Sequence, residues 1–327
     1  MKRRLGRSGI EVSAMGLGCW AIGGELWEGT SAVGWGDVDD EVSVAAIREG
    51  IALGINFIDT ADNYGAGHSE RVVGKALKGL RDRVILATKF GNTFDETNRQ
   101  LTGSDSSPKY ALRECEASLK RLGTDYIDLY FFHLNDCPLE QAPAVREALE
   151  KLVGQGKIRY YGWSTDHADR AAVFAEGEHC AAIEHDENLF VDNPAVLQVC
   201  VEKDLASVNR APLAMGILTG KYGARTAIRE NDVRGSHSPP WLRYFQNGAP
   251  SPLFMRKLES VKDLLRSNGR SLSQGCLAWI WARSPLTVPI PGFRNAQQVA
   301  ENARAMEYGP LSPQEIDEIG RILSAGG

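Results

Sequence analysis

The sequence predicts an α/β protein, a single-domain (β/α)8 TIM barrel over residues 1–327 with a short N-terminal β-hairpin and long loops after strands 3 and 7. Two observations carry this. From residue 15 onward the chain alternates short apolar segments with helical ones, giving about eight strand-then-helix units, the number a closed barrel needs. The turn after the first strand also lacks the G-x-G-x-x-G fingerprint of an open dinucleotide-binding sheet; Gly16-Leu17-Gly18 is only a partial match.

The elements follow in order. Residues 2–5 and 11–13 flank the turn Gly6-Arg7-Ser8-Gly9 and predict a hairpin ahead of the main fold. Residues 15–18 form the first strand, and a Trp- and Gly-rich loop runs from residue 20 to 37. Residues 41–53 are helical, with Val44, Ile47 and Ile51 on one face and Gly54 as the stop. Strands at 57–59, 84–88, 127–132, 160–163, 181–184, 206–209 and 287–289 alternate with helices at 69–77, 107–122, 144–153, 168–176, 193–202, 271–283 and 295–305, and a last helix covers 313–323. Ser107 before Pro108, Ser271, and Ser312 with Glu315 supply N-terminal caps. The stretches 91–106 and 222–252 exceed ordinary loop length, and in a barrel both lie on the C-terminal face, where active sites are built.

Composition narrows the function. The chain has 327 residues, 43% hydrophobic and 24% charged, with 37 basic against 42 acidic side chains for a net charge of −5. That balance gives no basic field for nucleic acid or an anionic membrane. Met1-Lys2-Arg3-Arg4 is followed by Leu5-Gly6-Arg7-Ser8-Gly9, which is not the apolar core of a signal peptide, so a cytoplasmic location is expected. Cys19, Cys115, Cys137, Cys180, Cys200 and Cys276 are scattered without a C-x-x-C pair, as expected of reduced thiols and no metal site.

Four polar residues lie at or just past the ends of successive strands: Asp59, Tyr64, Lys89 and His133. Taken singly each has a bland explanation: a turn cap, a surface aromatic, a solvated lysine, a core histidine. Strand ends on one barrel face converge, however, and these residue types make a working set. A free phenol has a pKa of ~10, and a lysine cation beside it lowers that value. A carboxylate keeps the lysine charged, and a histidine can hold a carbonyl oxygen. Tyr64 is then a general acid for an oxygen that becomes an alkoxide, which calls for a nicotinamide or flavin to deliver hydride to the carbon.

Phe57-Ile58-Asp59-Thr60-Ala61-Asp62-Asn63-Tyr64-Gly65, Ala87-Thr88-Lys89 and Phe132-His133 resemble the motifs of the aldo–keto reductase family. The likeness continues through Gly16-Leu17-Gly18-Cys19-Trp20, Leu119-x-Arg121-Leu122-x-x-Asp125-Tyr126-Ile127-Asp128, Gly156-Lys157-Ile158-Arg159, Gly162-x-Ser164, Pro212-Leu213-x-x-Gly216-x-Leu218-Thr219-Gly220-Lys221-Tyr222, Pro289-Ile290-Pro291-Gly292 and Glu301-Asn302. The resemblance implies a barrel, NADPH/NADP+ as cofactor, and reduction of aldehydes or ketones. It also implies the roles already reasoned for Tyr64, Lys89, Asp59 and His133.

For the cofactor the resemblance implies contacts from Trp20, Leu213, Gly216, Lys221 and Gly292, with Ser164-Thr165 at the nicotinamide carboxamide where the family has Ser-Asn. Glu184 stands where Gln is usual and Arg210 where an aromatic residue commonly stacks; Arg210 beside Glu184 suggests a compensating pair. Arg294 falls at the position that holds the 2′-phosphate, and Gln298, Glu301 and Asn302 at the adenine-side contacts; Asn295-x-x-Gln298 also reads as a helix cap. Aromatic residues on the loops, Trp20, Trp27, Trp35, Phe90, Phe94, Trp241, Tyr244 and Phe245, offer walls for an apolar or sugar-like carbonyl compound, and Trp27, Trp35, Phe90 and Trp241 are the expected pocket. The expected activity is NADPH-dependent carbonyl reduction. Two alternatives stay open: an NADP-dependent sugar or alcohol dehydrogenase running in reverse, and a cofactor-sensing regulatory subunit of the same fold. The expected partner is a small carbonyl substrate, not nucleic acid or membrane; association with a second copy of the chain is left open.

Overall fold

The computed structural model describes residues 1–223 and 226–325; Ala224 and Arg225 of the expected seventh loop, and the final Gly326 and Gly327, lie outside the described residues. Eight parallel strands form one sheet in sequential order: β1 (Leu17–Gly18), β2 (Phe57–Asp59), β3 (Ile85–Phe90), β4 (Ile127–Phe132), β5 (Ile158–Ser164), β6 (Cys180–Asp186), β7 (Ala206–Arg210) and β8 (Thr287–Pro289). The sheet closes on itself. Gly16 N–H donates to Pro289 O at 2.9 Å, Gly18 N–H donates to Pro291 O at 3.1 Å, and Gly18 forms a parallel bridge with Gly292. A Cβ on Gly18 would stand 2.5 Å from Ile290 O. This glycine therefore serves the seam of a barrel, which is why it fits a dinucleotide fingerprint only in part.

The barrel interior is packed, not hollow. Phe57, Ala87, Leu129, Phe131, Ala182, Ala206, Val208, Val288 and Ile290 fill it, joined by Leu5 and Val12 of the N-terminal hairpin. That hairpin, Lys2–Arg4 against Glu11–Ser13, seals the end opposite the active site. Arg7 fixes it there, its N–H donating to Asp204 O at 2.6 Å and its guanidinium to Ala175 O, Gly177 O and Lys203 O.

Ten α-helices surround the sheet among the described residues, α1 (Asp40–Ala52), α2 (His68–Leu77), α3 (Pro108–Leu122), α4 (Ala142–Gly154), α5 (Ala168–Phe174), α6 (Pro194–Glu202), α7 (Pro252–Leu265), α8 (Leu272–Arg283), α9 (Ala296–Tyr308) and α10 (Pro313–Ala325). The expected caps form: Ser107 Oγ accepts from Tyr110 N–H, Ser271 and Gln274 cap each other reciprocally, and so do Ser312 and Glu315. Helix α7 has no counterpart among the elements expected from sequence. It begins at Pro252, in its first turn, and buries Leu258, Val261 and Leu265 along one face against α8 and α10.

Both long loops contain short strands. Residues 92–104 fold into a hairpin, Asn92–Asp95 against Gln100–Ser104. It joins Trp27–Glu28 and Ser31–Ala32 of the first loop in a four-stranded sheet. Leu26, Val33 and Ala66 form a small core beneath, packed by Phe94 and Leu101. The seventh loop then ties onto the first through Val233 N–H to Gly34 O at 2.6 Å and Ala32 N–H to His237 O at 2.9 Å. Among the described residues no helix is long and apolar enough to cross a membrane.

Candidate active site

Asp59 ends β2 and Lys89 lies one residue before the end of β3, the neighbouring strand, so both side chains emerge at the same end of the barrel. Lys89 Nζ donates to Asp59 Oδ1 at 2.6 Å, to Asp59 Oδ2 at 2.7 Å and to Thr60 O at 2.9 Å. Neither side chain reaches solvent. Tyr64 lies on the turn that follows β2. Gly65 (φ 61°) makes that turn possible, because a Cβ there would fall 1.8 Å from Gly23 O of the first loop. Lys89 Nζ sits 5.1 Å from the centroid of the Tyr64 ring. Trp20 stacks on the same ring with centroids 5.9 Å apart, and His133 meets it edge-on, also at 5.9 Å. His133 directly follows β4 and is anchored by its N–H to Phe90 O at 2.7 Å; its Nδ1 is buried without a partner.

Burial sets the protonation states. The Tyr64 phenol is pushed above its ordinary value by burial. Lys89 pulls it down as expected from sequence, but Asp59 and Glu184 add to the rise and the net shift is upward. The phenol is thus a held proton. Burial, then the charges of Lys89 and Arg210, push His133 well below its usual range, leaving a neutral imidazole. Burial alone would lower Lys89, but Asp59 and Glu184 more than offset it and keep the ammonium protonated. Asp59 is pushed up to about 8 by burial, with Glu184 adding to the effect and Lys89 opposing it.

The expected pairing of Arg210 with Glu184 is corrected. The Glu184 carboxylate turns to Lys89 instead, Oε2 standing 3.4 Å from Nζ. Arg210 pairs with Asp186 at 2.9 Å and with Asp166, and meets Glu184 only at its backbone carbonyl. Neither aspartate stands out in the sequence, because each lies one or two residues beyond a residue with a stronger signal. Ser164 bridges the two systems, its Oγ lying 3.4 Å from Glu184 Oε1 and 3.3 Å from Arg210 Nη1. Thr165 departs from its expected role. Its hydroxyl is buried and donates to Asn135 O at 2.9 Å, away from the cavity.

A cavity of about 670 Å³ extends from Asp59, Tyr64 and Glu184 to the N-terminus of α9. Of the expected cofactor residues, Trp20, Glu184, Arg210, Leu213, Gly216, Lys221, Gly292, Arg294, Gln298, Glu301 and Asn302 line it; Ser164 and Thr165 do not. Arg294 also has a structural role, since its guanidinium donates to Trp35 O at 2.8 Å and to Asp37 O, tying the first loop down. Gln298 accepts from Arg294 N–H, and Asn295 caps α9 by accepting from Gln298 N–H. Arg229 and Arg234 also line this end of the cavity, and neither is foreseen from sequence because nothing in the seventh loop marks them. Arg229 pairs with Asp37 and Arg234 with Asp232, both at this end, so the positive charge offered to a phosphate comes from Lys221 and Arg294.

The expected aromatic pocket is only partly present. Trp35 lines the cavity, and Trp241 covers Trp20 at a centroid distance of 6.4 Å with 57% of its surface exposed. Trp27 instead sits in the small sheet against His237. Phe90 is a correction: it faces away from the cavity and is buried against Tyr130 and Phe132, because adjacent strand residues point to opposite faces and Lys89 takes the inward one. Phe94, Tyr244 and Phe245 pack the loops down.

Residues 14–324 match the model of the aldo/keto reductase family. The aldo-keto reductase YhdN of Bacillus subtilis is 34% identical over 324 residues, covering 97% of this chain and 91% of that protein. Among solved structures, the glycerol dehydrogenase AKR11B4 of Gluconobacter oxydans superposes with a TM-score of 0.82 at 28% identity, over 99% of this chain and 95% of that one. An aldo/keto reductase of Klebsiella pneumoniae in complex with NADP and acetate gives 0.69 at 29% identity, over 98% and 95%.

Proposed function

The chain belongs to the aldo/keto reductase family, and we propose that it reduces an aldehyde or ketone with NADPH, Tyr64 acting as general acid. The observation that carries this reading is the buried Lys89–Asp59 pair set against the Tyr64 ring, with Asp59 and Tyr64 lining one cavity. The cavity suits the cofactor: its far end offers Lys221 and Arg294 and opens on a helix N-terminus, and its floor holds a buried unpartnered carboxylate oxygen on Glu184. Relatives that carry NADP or NADPH support the same choice. Lys221 and Arg294 would hold the phosphates and Gln298 and Asn302 the adenosine end, while Trp20, Glu184 and Arg210 would border the nicotinamide.

Bound NADPH supplies hydride to the carbonyl carbon. The chain's own residues do the remainder. The neutral His133 imidazole donates a hydrogen bond to the carbonyl oxygen and orients it. Tyr64 passes its hydroxyl proton to that oxygen as it becomes an alkoxide. Lys89 stabilises the phenolate left behind, and Asp59 holds Lys89 in place through the two hydrogen bonds it accepts, without touching the substrate. Trp20 and the loops above exclude water.

The reverse direction, oxidation of a sugar-like or other alcohol with NADP+, is the second reading, favoured by the relative named a glycerol dehydrogenase. The exposed Trp241 face beside Trp20 suits the C–H face of a small polyol or its carbonyl form. Steady-state absorbance at 340 nm against panels of aldehydes, ketones and polyols tests both. Turnover with a carbonyl compound supports the first reading and turnover with a polyol the second. Tight nucleotide binding without any turnover would overturn both in favour of a redox-sensing subunit.

A further inference from the structure

Resting on the NADP(H) reading above, we propose that Glu184 selects the oxidation state of the bound nicotinamide, its buried carboxylate favouring the cationic NADP+ over NADPH. The geometry makes this carboxylate surplus. The three protons of Lys89 are already directed at Asp59 Oδ1, Asp59 Oδ2 and Thr60 O, all within 2.9 Å. Glu184 Oε2 stands farther off, at 3.4 Å from Nζ, buried and without a hydrogen-bond partner. Its other oxygen has only the weak 3.4 Å contact with Ser164 Oγ.

Among the described residues, the charges facing this floor do not balance. The cations are Lys89, Arg210, and Arg243 at the rim, 3.6 Å from Asp186. The carboxylates are Asp59, Glu184, Asp166 and Asp186. Tyr64, Cys19, His133 and His185 are neutral, since burial raises the first two and lowers the last two. The floor is short of one positive charge. An oxidised nicotinamide ring carries a formal positive charge and a reduced ring none, while the rest of the two nucleotides is the same. Only a differential interaction can shift the balance between two ligands, and an unbalanced buried carboxylate provides one.

Without nucleotide, the same surplus is relieved by a proton. Asp59 is pushed up to about 8 by burial, with Glu184 adding to the effect. A cationic ring takes the place of that proton, so NADP+ binding releases it and NADPH binding does not. NADP+ must therefore bind more tightly as pH rises through this range, relative to NADPH.

Isothermal titration of the full-length protein with NADP+ and with NADPH, at pH 7 and pH 9, tests this for wild type and Glu184→Gln. In wild type the ratio of Kd(NADP+) to Kd(NADPH) is expected to fall about fivefold or more from pH 7 to pH 9. At pH 9 Glu184→Gln is expected to raise that ratio by about ten- to hundredfold, because NADP+ loses more affinity than NADPH. A ratio that is unchanged by pH in wild type, or by the substitution, overturns the proposal alone. If the variant binds neither nucleotide, the wild-type pH comparison decides. A wild-type protein that binds neither nucleotide overturns the NADP(H) reading, and this proposal with it.

Discussion

Lys89 Nζ lies within 2.7 Å of both carboxylate oxygens of Asp59, and neither side chain is exposed to solvent. A buried pair of this kind is costly to break from one side, because the remaining charge is left in low dielectric. Lys89→Met would leave Asp59 and Glu184 facing each other with no cation between them. It is expected to lower stability by about 3–5 kcal/mol. Lys89→Met combined with Asp59→Asn removes one of the two stranded carboxylates and should recover part of that loss, though not turnover. Urea unfolding followed by circular dichroism checks both. Equal stability of the single and double variants would show that the pair does not hold the barrel floor.

Tyr64 is a proton held in place, and its loss should be felt in chemistry and not in binding. Phe retains the ring that Trp20 stacks on and that His133 meets edge-on. Tyr64→Phe is expected to cut turnover by about 10²–10⁴-fold. NADPH affinity, read by fluorescence quenching, should stay within about threefold. A variant with near-normal turnover would assign the proton to another group.

Much of this site is legible in the chain, for a physical reason. Asp59, Tyr64, Lys89 and His133 each sit at or beside the end of an apolar run, and a barrel carries strand ends to one place. What escapes a reading of the sequence depends on pairings between segments far apart in the chain. The small sheet formed by residues 92–104 with 27–32 is an example, since neither segment buries a face by itself. The partner of Glu184 is another. Adjacency of strand ends suggests Arg210, but Arg210 leans toward Asp166 and Asp186, leaving Glu184 for Lys89. Phe90 falls outside the pocket because Lys89, one residue earlier, fixes which face of β3 looks inward.

Arg294 serves the ligand and the fold at once. It lines the phosphate end of the cavity while holding Trp35 O and Asp37 O of the first loop. Arg294→Ala should therefore weaken NADPH more than NADH, by about tenfold or more in relative affinity, given the strength of charge-assisted contacts to phosphate. It should also loosen residues 24–37. Nucleotide titrations read the first effect and amide hydrogen exchange without nucleotide reads the second. Lost selectivity with unchanged exchange would confine Arg294 to the ligand.

His133 gives a pH signature with a definite sign. In the folded protein burial, then Lys89 and Arg210, hold its pKa well below the ordinary value of 6.5, to which it returns on unfolding. Below about pH 6.5 the unfolded chain binds a proton that the folded chain refuses, so this residue's contribution falls as pH falls. Above about pH 7 both states are neutral here and the contribution is flat. His133→Asn removes the titrating group. Measured by urea unfolding, the wild-type stability minus that of the variant is expected to be constant from pH 7 to pH 9. It should then decline toward pH 5 by at most about 1.4 kcal/mol per pH unit. A difference that stays flat down to pH 5 would mean that the folded protein accepts a proton on His133. The carbonyl oxygen would then meet an imidazolium, and the reduction would show a His-dependent acid limb in kcat/KM that a neutral imidazole does not produce.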